Sequence, residues 1–386
     1  MKQNTIITLI FLTTAPYLSA LNAAEAYLTG PDATSNLLRK QHPPLQGKLT
    51  VSGDYNIAAY KAYGNETGED ESASQVLRLY GEWKFEDIGG SLVFKGEYRN
   101  AFSNIAPTDF GFNLGYVGMP QSTFSDQGAR LTTLYWKQSL FDGNGLLFAG
   151  FLDVTEYVDV YLTASPWTDF SNLAFATGSA TIGGLPDATP GVMLGGWVNN
   201  HWYLSASAAN AYSDQTDPFE GVETLFDNGE FFTSLEIGYV PNKEALFLDN
   251  THLTFWHIDA TEENANPQGW GVSFSWTKTA TKHLFVFARG GWSDGGGALL
   301  KRSLSVGGAY LTERDDVIGL GINVGDPNDE SFPDATRTQT TAELYYRLNI
   351  GKHLQLTPSV QYIHHPAMDT STDAVWMPGL RMRLYF

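Results

Sequence analysis

The 386-residue chain contains no cysteine. That excludes disulfides and every thiolate-ligated metal site, and it fits an export route on which stray thiols would be oxidised. Basic residues are scarce: 23 Lys and Arg stand against 42 Asp and Glu, for a net charge of −19. A chain this acidic has no electrostatic footprint for nucleic acid. After the first twenty residues, no stretch reaches the roughly 18 apolar residues that a transmembrane helix requires. Catalytic signatures are missing as well. None of the eight histidines falls in an H-E-x-x-H motif, and no phosphate-cradling loop occurs. No catalytic residue, no cofactor and no energy coupling is therefore expected. What the chain does have is 42% hydrophobic and 13% aromatic residues. That is ample for a folded core, and the aromatic share suits the interfacial girdles of a membrane barrel.

The amino-terminal residues read as a secretory signal. Lys2 supplies the charged start, Ile6 to Leu12 form the centre of an apolar stretch that continues to Leu18, and small residues follow at Ser19, Ala20, Ala23, Ala24 and Ala26. Residues 1–24 are assigned to a cleaved signal and 25–47, with Pro43-Pro44, to a short periplasmic lead-in. Residues 48–386 form the structural domain.

In that domain helical periodicity is scarce and strand periodicity is abundant. Trp270, Val272, Phe274 and Trp276 alternate with Gly271, Ser273, Ser275 and Thr277. Leu92, Phe94 and Tyr98 oppose Lys95, Glu97 and Arg99, and Leu344, Tyr346 and Leu348 oppose Glu343, Tyr345 and Arg347. Successive side chains of a strand point to opposite faces, so each segment has one apolar and one charged or small polar face. Sixteen such segments can be placed. The gaps between them alternate: long at 100–130, 154–190, 213–230, 260–269, 293–302, 325–338 and 364–375, short at 86–90, 142–145, 199–201, 312–316 and 351–353. Short turns on one side, long loops on the other and an even strand count describe an all-β transmembrane antiparallel barrel with short periplasmic turns and long extracellular loops. Residues 241–250 are long for a periplasmic turn, and Phe112 to Val117 could be extended, which leaves room for a further strand pair within 100–130.

The charged faces decide which way the strands turn. An Arg or Lys facing lipid near the midplane costs about 2–4 kcal/mol, so Lys95, Glu97, Arg99, Glu236, Arg289, Glu343, Arg347, Arg381 and Arg383 are expected to point into the lumen. Arg289 fits least cleanly, because Phe285 and Phe287 share its side. Guanidinium groups donate to hydroxyls and carboxylates accept from them, which suits a neutral polyhydroxylated solute. Bracing of the lumen by ion pairs is the other reading of the same residues. The longest gap, 154–190, contains Trp167, Asp169, Phe170, Asn172 and Phe175. An inward fold would make Trp167, Asp169 and Asn172 constriction residues; a surface loop packed on its own aromatics is the alternative. Two further clusters read as inert. His364 and His365 are adjacent, so on a strand they would face opposite sides and could not share a metal. The acidic run Glu66 to Glu71 lacks the spacing of a calcium loop.

Three carboxy-terminal pieces resemble the carbohydrate-selective porins of Gram-negative outer membranes. They are Arg314-Asp315-Asp316-Val317-Ile318-Gly319-Leu320-Gly321; Glu343-Leu344-Tyr345-Tyr346-Arg347 followed by Leu354 to Ile363; and Gly379-Leu380-Arg381-Met382-Arg383-Leu384 ending in Phe386. Asp153 and Phe170-Ser171-Asn172-Leu173-Ala174-Phe175 resemble the family's third-loop segment. The resemblance implies a sixteen-stranded outer-membrane barrel that passes mono- or oligosaccharides by diffusion, with Glu343, Arg347, Arg381 and Arg383 at the constriction. An aromatic terminal strand is the habit of outer-membrane barrels and implies handling by the barrel-assembly machinery through Phe386. Outer-membrane lipid and lipopolysaccharide would surround the barrel, and homo-oligomerisation stays open. The chain departs from the family at the third loop and at His364-His365-Pro366, where the family more often has an apolar residue and Asn before Pro. A general or cation-preferring porin, a barrel enzyme and a secreted β-sandwich are the competing readings.

Overall fold

The computed structural model describes residues 49–386 apart from Thr67 and Ser213. The signal at 1–24 and the lead-in at 25–47 lie outside the described residues. Sixteen strands follow in order: β1 Leu49–Lys61, β2 Glu71–Phe85, β3 Gly90–Ala101, β4 Gly128–Leu140, β5 Gly145–Leu152, β6 Thr189–Trp197, β7 Trp202–Asn210 and β8 Phe231–Tyr239. The second half comprises β9 Thr251–Ile258, β10 Gly269–Thr279, β11 Leu284–Gly295, β12 Leu300–Leu311, β13 Val317–Pro327, β14 Gln339–Ile350, β15 Leu354–His364 and β16 Ala374–Tyr385. Each strand pairs antiparallel with its sequence neighbours, and β1 pairs with β16 to close the barrel. At the seam Gly53 and Phe386 exchange both backbone hydrogen bonds at 2.9 Å. Closure leaves no edge strand whose backbone groups would go unpaired, as a membrane interior demands.

The outer face is apolar and open to the surroundings. Leu304, Val306, Ile318, Leu320, Ile322 and Val324 on β12 and β13 are all exposed and lie beside one another in the register. A contiguous surface of this kind is out of place in water and belongs against lipid. Trp83, Trp202 and Tyr239 stand near the short-turn rim, Trp270 and Trp376 near the loop rim, as interfacial aromatics do. The inner face is polar. Along β10, for example, Ser273, Ser275 and Thr277 are buried while Phe274 and Trp276 are exposed. Apolar outside and polar inside is the inverse of a soluble sandwich.

Three local expectations are corrected or explained. No extra strand pair lies between β3 and β4. Phe110–Asn113 forms one helical turn instead, and the Val117 backbone bonds to the Gln339 side-chain amide rather than to a neighbouring strand. The long turn 240–250 is a packed cap. Asn242 accepts from Ala245 N at 3.1 Å to start a 3-10 turn, and Val240 and Leu246 are buried against Tyr203. Finally, His364 and His365 do not point to opposite sides. His365 has φ of 57°, which ends the strand, and the two imidazoles stack with centroids 3.7 Å apart.

The facing rule makes a quantitative prediction. Ile322→Arg on the lipid face of β13 should destabilise the barrel by about 2–4 kcal/mol, measured by denaturant titration of protein folded into vesicles.

Candidate functional site

Two of the long loops turn into the barrel rather than over its rim. The stretch 153–188, between β5 and β6, crosses the lumen, and most of it is buried. The stretch 102–127 lies beside it. Leu173 N donates to Met119 O at 2.9 Å, Gln121 Nε2 to Pro166 O at 3.2 Å and Tyr116 Oη to Asn172 Oδ1 at 3.1 Å. A buried loop carries backbone groups that no ladder satisfies, and here charged and polar wall side chains satisfy many of them.

Glu343 on β14 accepts from Ser171 N at 2.9 Å, Ser171 Oγ at 2.9 Å and Asn172 N at 3.0 Å. Arg381 on β16 donates to Pro166 O at 2.6 Å and also to Asp169 O. Asp169 accepts through Oδ1 from Arg347 at 3.0 Å and from Tyr345 Oη at 2.9 Å. Asn172 caps the turn Leu173–Phe175 through Ala174 N and donates to Gln361 on β15 at 2.9 Å. Three strands round the barrel from β14, Arg289 of β11 donates to Ala176 O at 2.6 Å, pairs with the Asp159 carboxylate and lies 4.1 Å from the centre of the Tyr161 ring. Glu236 of β8 accepts from Asp159 N at 2.9 Å, and His252 of β9 meets Asp159 Oδ1 at 2.7 Å. Lys95 of β3 pairs with Asp153 at 3.2 Å and with Glu156.

The remaining sequence-derived residues pair along the wall. Glu97 pairs with Arg99 and lies 3.8 Å from Arg130 of β4, which in turn holds Asp187 at 2.6 Å. Arg383 and Arg78 share the carboxylate of Asp54, each at 2.6 Å. The wall from β14 through β16 and β1 to β4 thus presents Arg347, Arg381, Arg383, Arg78, Lys95, Arg99 and Arg130, each matched by an acid or a loop carbonyl. Trp167 projects from the loop over Arg78, with the guanidinium carbon 3.9 Å from the ring centre, and it is half-buried. A cation under an aromatic face is attracted by the ring quadrupole.

Apolar groups seat the loop too. Phe285, Phe287, Phe170, Phe175, Tyr161 and Tyr345 form one buried cluster. Phe285 and Phe287 share the face of Arg289 because all three receive the loop. A Cβ at Gly321 of β13 would come within 2.8 Å of the Phe175 ring, so glycine opens the wall there. Asp54, Asp159, Arg130 and Asp187 were not singled out from the sequence. Asp54 shares the β1 face that also carries Asn56, an alternation that could have exposed it; Asp159 and Asp187 sit in irregular chain with no local signal.

At the mouth, Arg337 donates to the carbonyls of Pro366, Asp369 and Thr372. Hydrogen bonds from Ser371 and Thr372 hold the half-buried Asp369 carboxyl at about 2, below the usual carboxylate range.

The sequence profile of the carbohydrate-selective porin, OprB family, matches residues 53–386. The chain belongs to the carbohydrate-selective porin family. Its fold is similar to that of Pseudomonas putida OprB solved at high pH, with a TM-score of 0.71, 18% identity, and coverage of 91% of this chain and 96% of that one. A triple mutant of the Rhodopseudomonas blastica porin superposes with a TM-score of 0.52 at 12% identity, covering 88% of this chain and 100% of that one. No curated protein sequence matches the chain. The protein is a carbohydrate porin of the outer membrane, and its family and fold are those of a channel rather than an enzyme.

Glu343 is the latch between this porin's wall and its inward loop. Glu343→Ala orphans the backbone donors of Ser171 and Asn172, at about 1–3 kcal/mol for each donor left buried. The expected outcome is faster proteolysis within 166–172 and larger, noisier single-channel currents.

Proposed function

We propose that this porin passes mono- or oligosaccharides by passive diffusion through a constriction formed between the loop 153–188 and the cationic wall. The division of labour follows from burial. Glu343, Arg289, Glu236 and Arg381 are almost fully buried and bonded to the loop, so their role is to position it. Arg347 and Trp167 are only partly covered and face the solute, while Lys95, Glu97, Arg99 and Arg383, buried in ion pairs, set the field of the lumen wall behind them. Arg347 donates to sugar hydroxyls, Asp169 and Asn172 order the loop edge beside it, and the Trp167 face receives a sugar ring. Such contacts must stay weak enough for the solute to leave. The observation that carries this reading is Trp167 set over Arg78 on a loop fastened to β16 and β11. The paired charges also weigh against the cation-preferring alternative, because the acids near the loop are neutralised by arginines.

In the same reading Phe386, seated at the β1–β16 seam, is the residue offered to the barrel-assembly machinery. Lipopolysaccharide contacts the loop rim, and outer-membrane lipid covers the apolar outer face.

Planar-bilayer conductance of the refolded protein, titrated with glucose, disaccharides and short oligosaccharides, tests the channel reading. Saturable block by a sugar is expected; open channels with no sugar block would leave a general porin. Trp167→Ala removes a stacking contact of about 1 kcal/mol, and the block should weaken about fivefold while the open conductance rises.

A further inference from the structure

The structure assigns a divalent transition-metal site to the extracellular end of the β15–β16 hairpin, formed by His364, His365 and Asp373. His364 is the last residue of β15, paired with Ala374. His365 then adopts φ of 57°, a left-handed conformation unfavourable for a residue with a side chain. That turn brings two consecutive imidazoles onto one side, where they stack with centroids 3.7 Å apart and planes 27° from parallel. Both Nε2 atoms converge on one carboxylate oxygen: Asp373 Oδ1 lies 3.2 Å from His365 Nε2 and 3.8 Å from His364 Nε2. The three donor atoms all lie within 4.8 Å of one another.

Metal–nitrogen and metal–oxygen bonds of about 2.0–2.2 Å put neighbouring donors roughly 3 Å apart. Small rotations of partly exposed side chains close that difference. The frame beneath them is fixed. His365 N donates to Asp373 O at 2.8 Å, and Arg337 holds the Pro366 and Thr372 carbonyls from behind at 2.9 Å each. Two stacked imidazolium ions would repel each other strongly, whereas two neutral imidazoles and a carboxylate offer an N,N,O set with open positions for water. That set suits Cu²⁺ and Zn²⁺, and copper binds more tightly in the usual divalent order. The site lies on the loop rim, away from the sugar path, and does not depend on the channel reading.

The test uses the full-length, tag-free protein folded in detergent and stripped with chelator. Titration with Cu²⁺ alone should show one ion per chain, and its electron paramagnetic resonance spectrum should carry splitting from two imidazole nitrogens. His365→Ala and Asp373→Asn should each weaken binding roughly tenfold or more. His257→Ala, near the end of β9, should leave it unchanged. Unaltered channel currents in each variant establish that the barrel has folded. Copper binding by the His364→Ala, His365→Ala double variant as tight as in the parent would overturn the assignment. So would a titration with no one-to-one phase, which would leave the cluster as a plain histidine–carboxylate ion pair.

Discussion

Much of this barrel's interior is organised by one constraint: a loop folded into the lumen carries backbone groups that no sheet can satisfy. Water reaches little of the stretch 153–188, so its carbonyls and amides must find partners on the wall. Glu343 takes two amides, Arg381 two carbonyls and Arg289, on β11, two more. Charged side chains make stronger hydrogen bonds than neutral ones, and at these positions the charge is also kept out of lipid. The same residues therefore answer two demands, one set by the membrane and one by the loop.

That double duty shapes how the lumen can select. A charge bonded to the loop sets the field but is not free to grip a solute. On the proposed reading, recognition falls to the partly covered edge, Trp167 over Arg78 and Arg347 beside Asp169. That reading makes selectivity a matter of the shape and hydrogen-bonding pattern of the loop edge rather than of net charge. The chain's overall acidity is a poor guide here, since the acids near the constriction are matched by guanidinium groups and much of the remaining acid lies in the outer loops.

Packing reinforces the electrostatics. The inward Phe285 and Phe287, with Phe170, Phe175 and Tyr345, build an apolar seat inside a polar lumen, and Gly321 clears the wall where the Phe175 ring lies. Those phenylalanines blur the alternation on β11, which is why Arg289 fitted the facing pattern least well. Here a break in a sequence rule marked the place where the loop docks.

The sequence by itself determined the barrel: sixteen strands, the alternation of short turns and long loops, and which face meets lipid. These follow from local causes, namely period-two side chains, turn-forming residues and the cost of charge in a bilayer. Only the tertiary structure decided what the inward charges hold. Ser171 and Glu343 are separated by 172 positions and Asp169 and Arg381 by 212, and no local pattern encodes a pairing across that distance. It also decided the hairpin mouth, where one left-handed residue, His365, cancelled the strand rule that would have parted two histidines. Periodicity reports the face of a regular strand; where the chain leaves the strand, only the packed backbone sets direction.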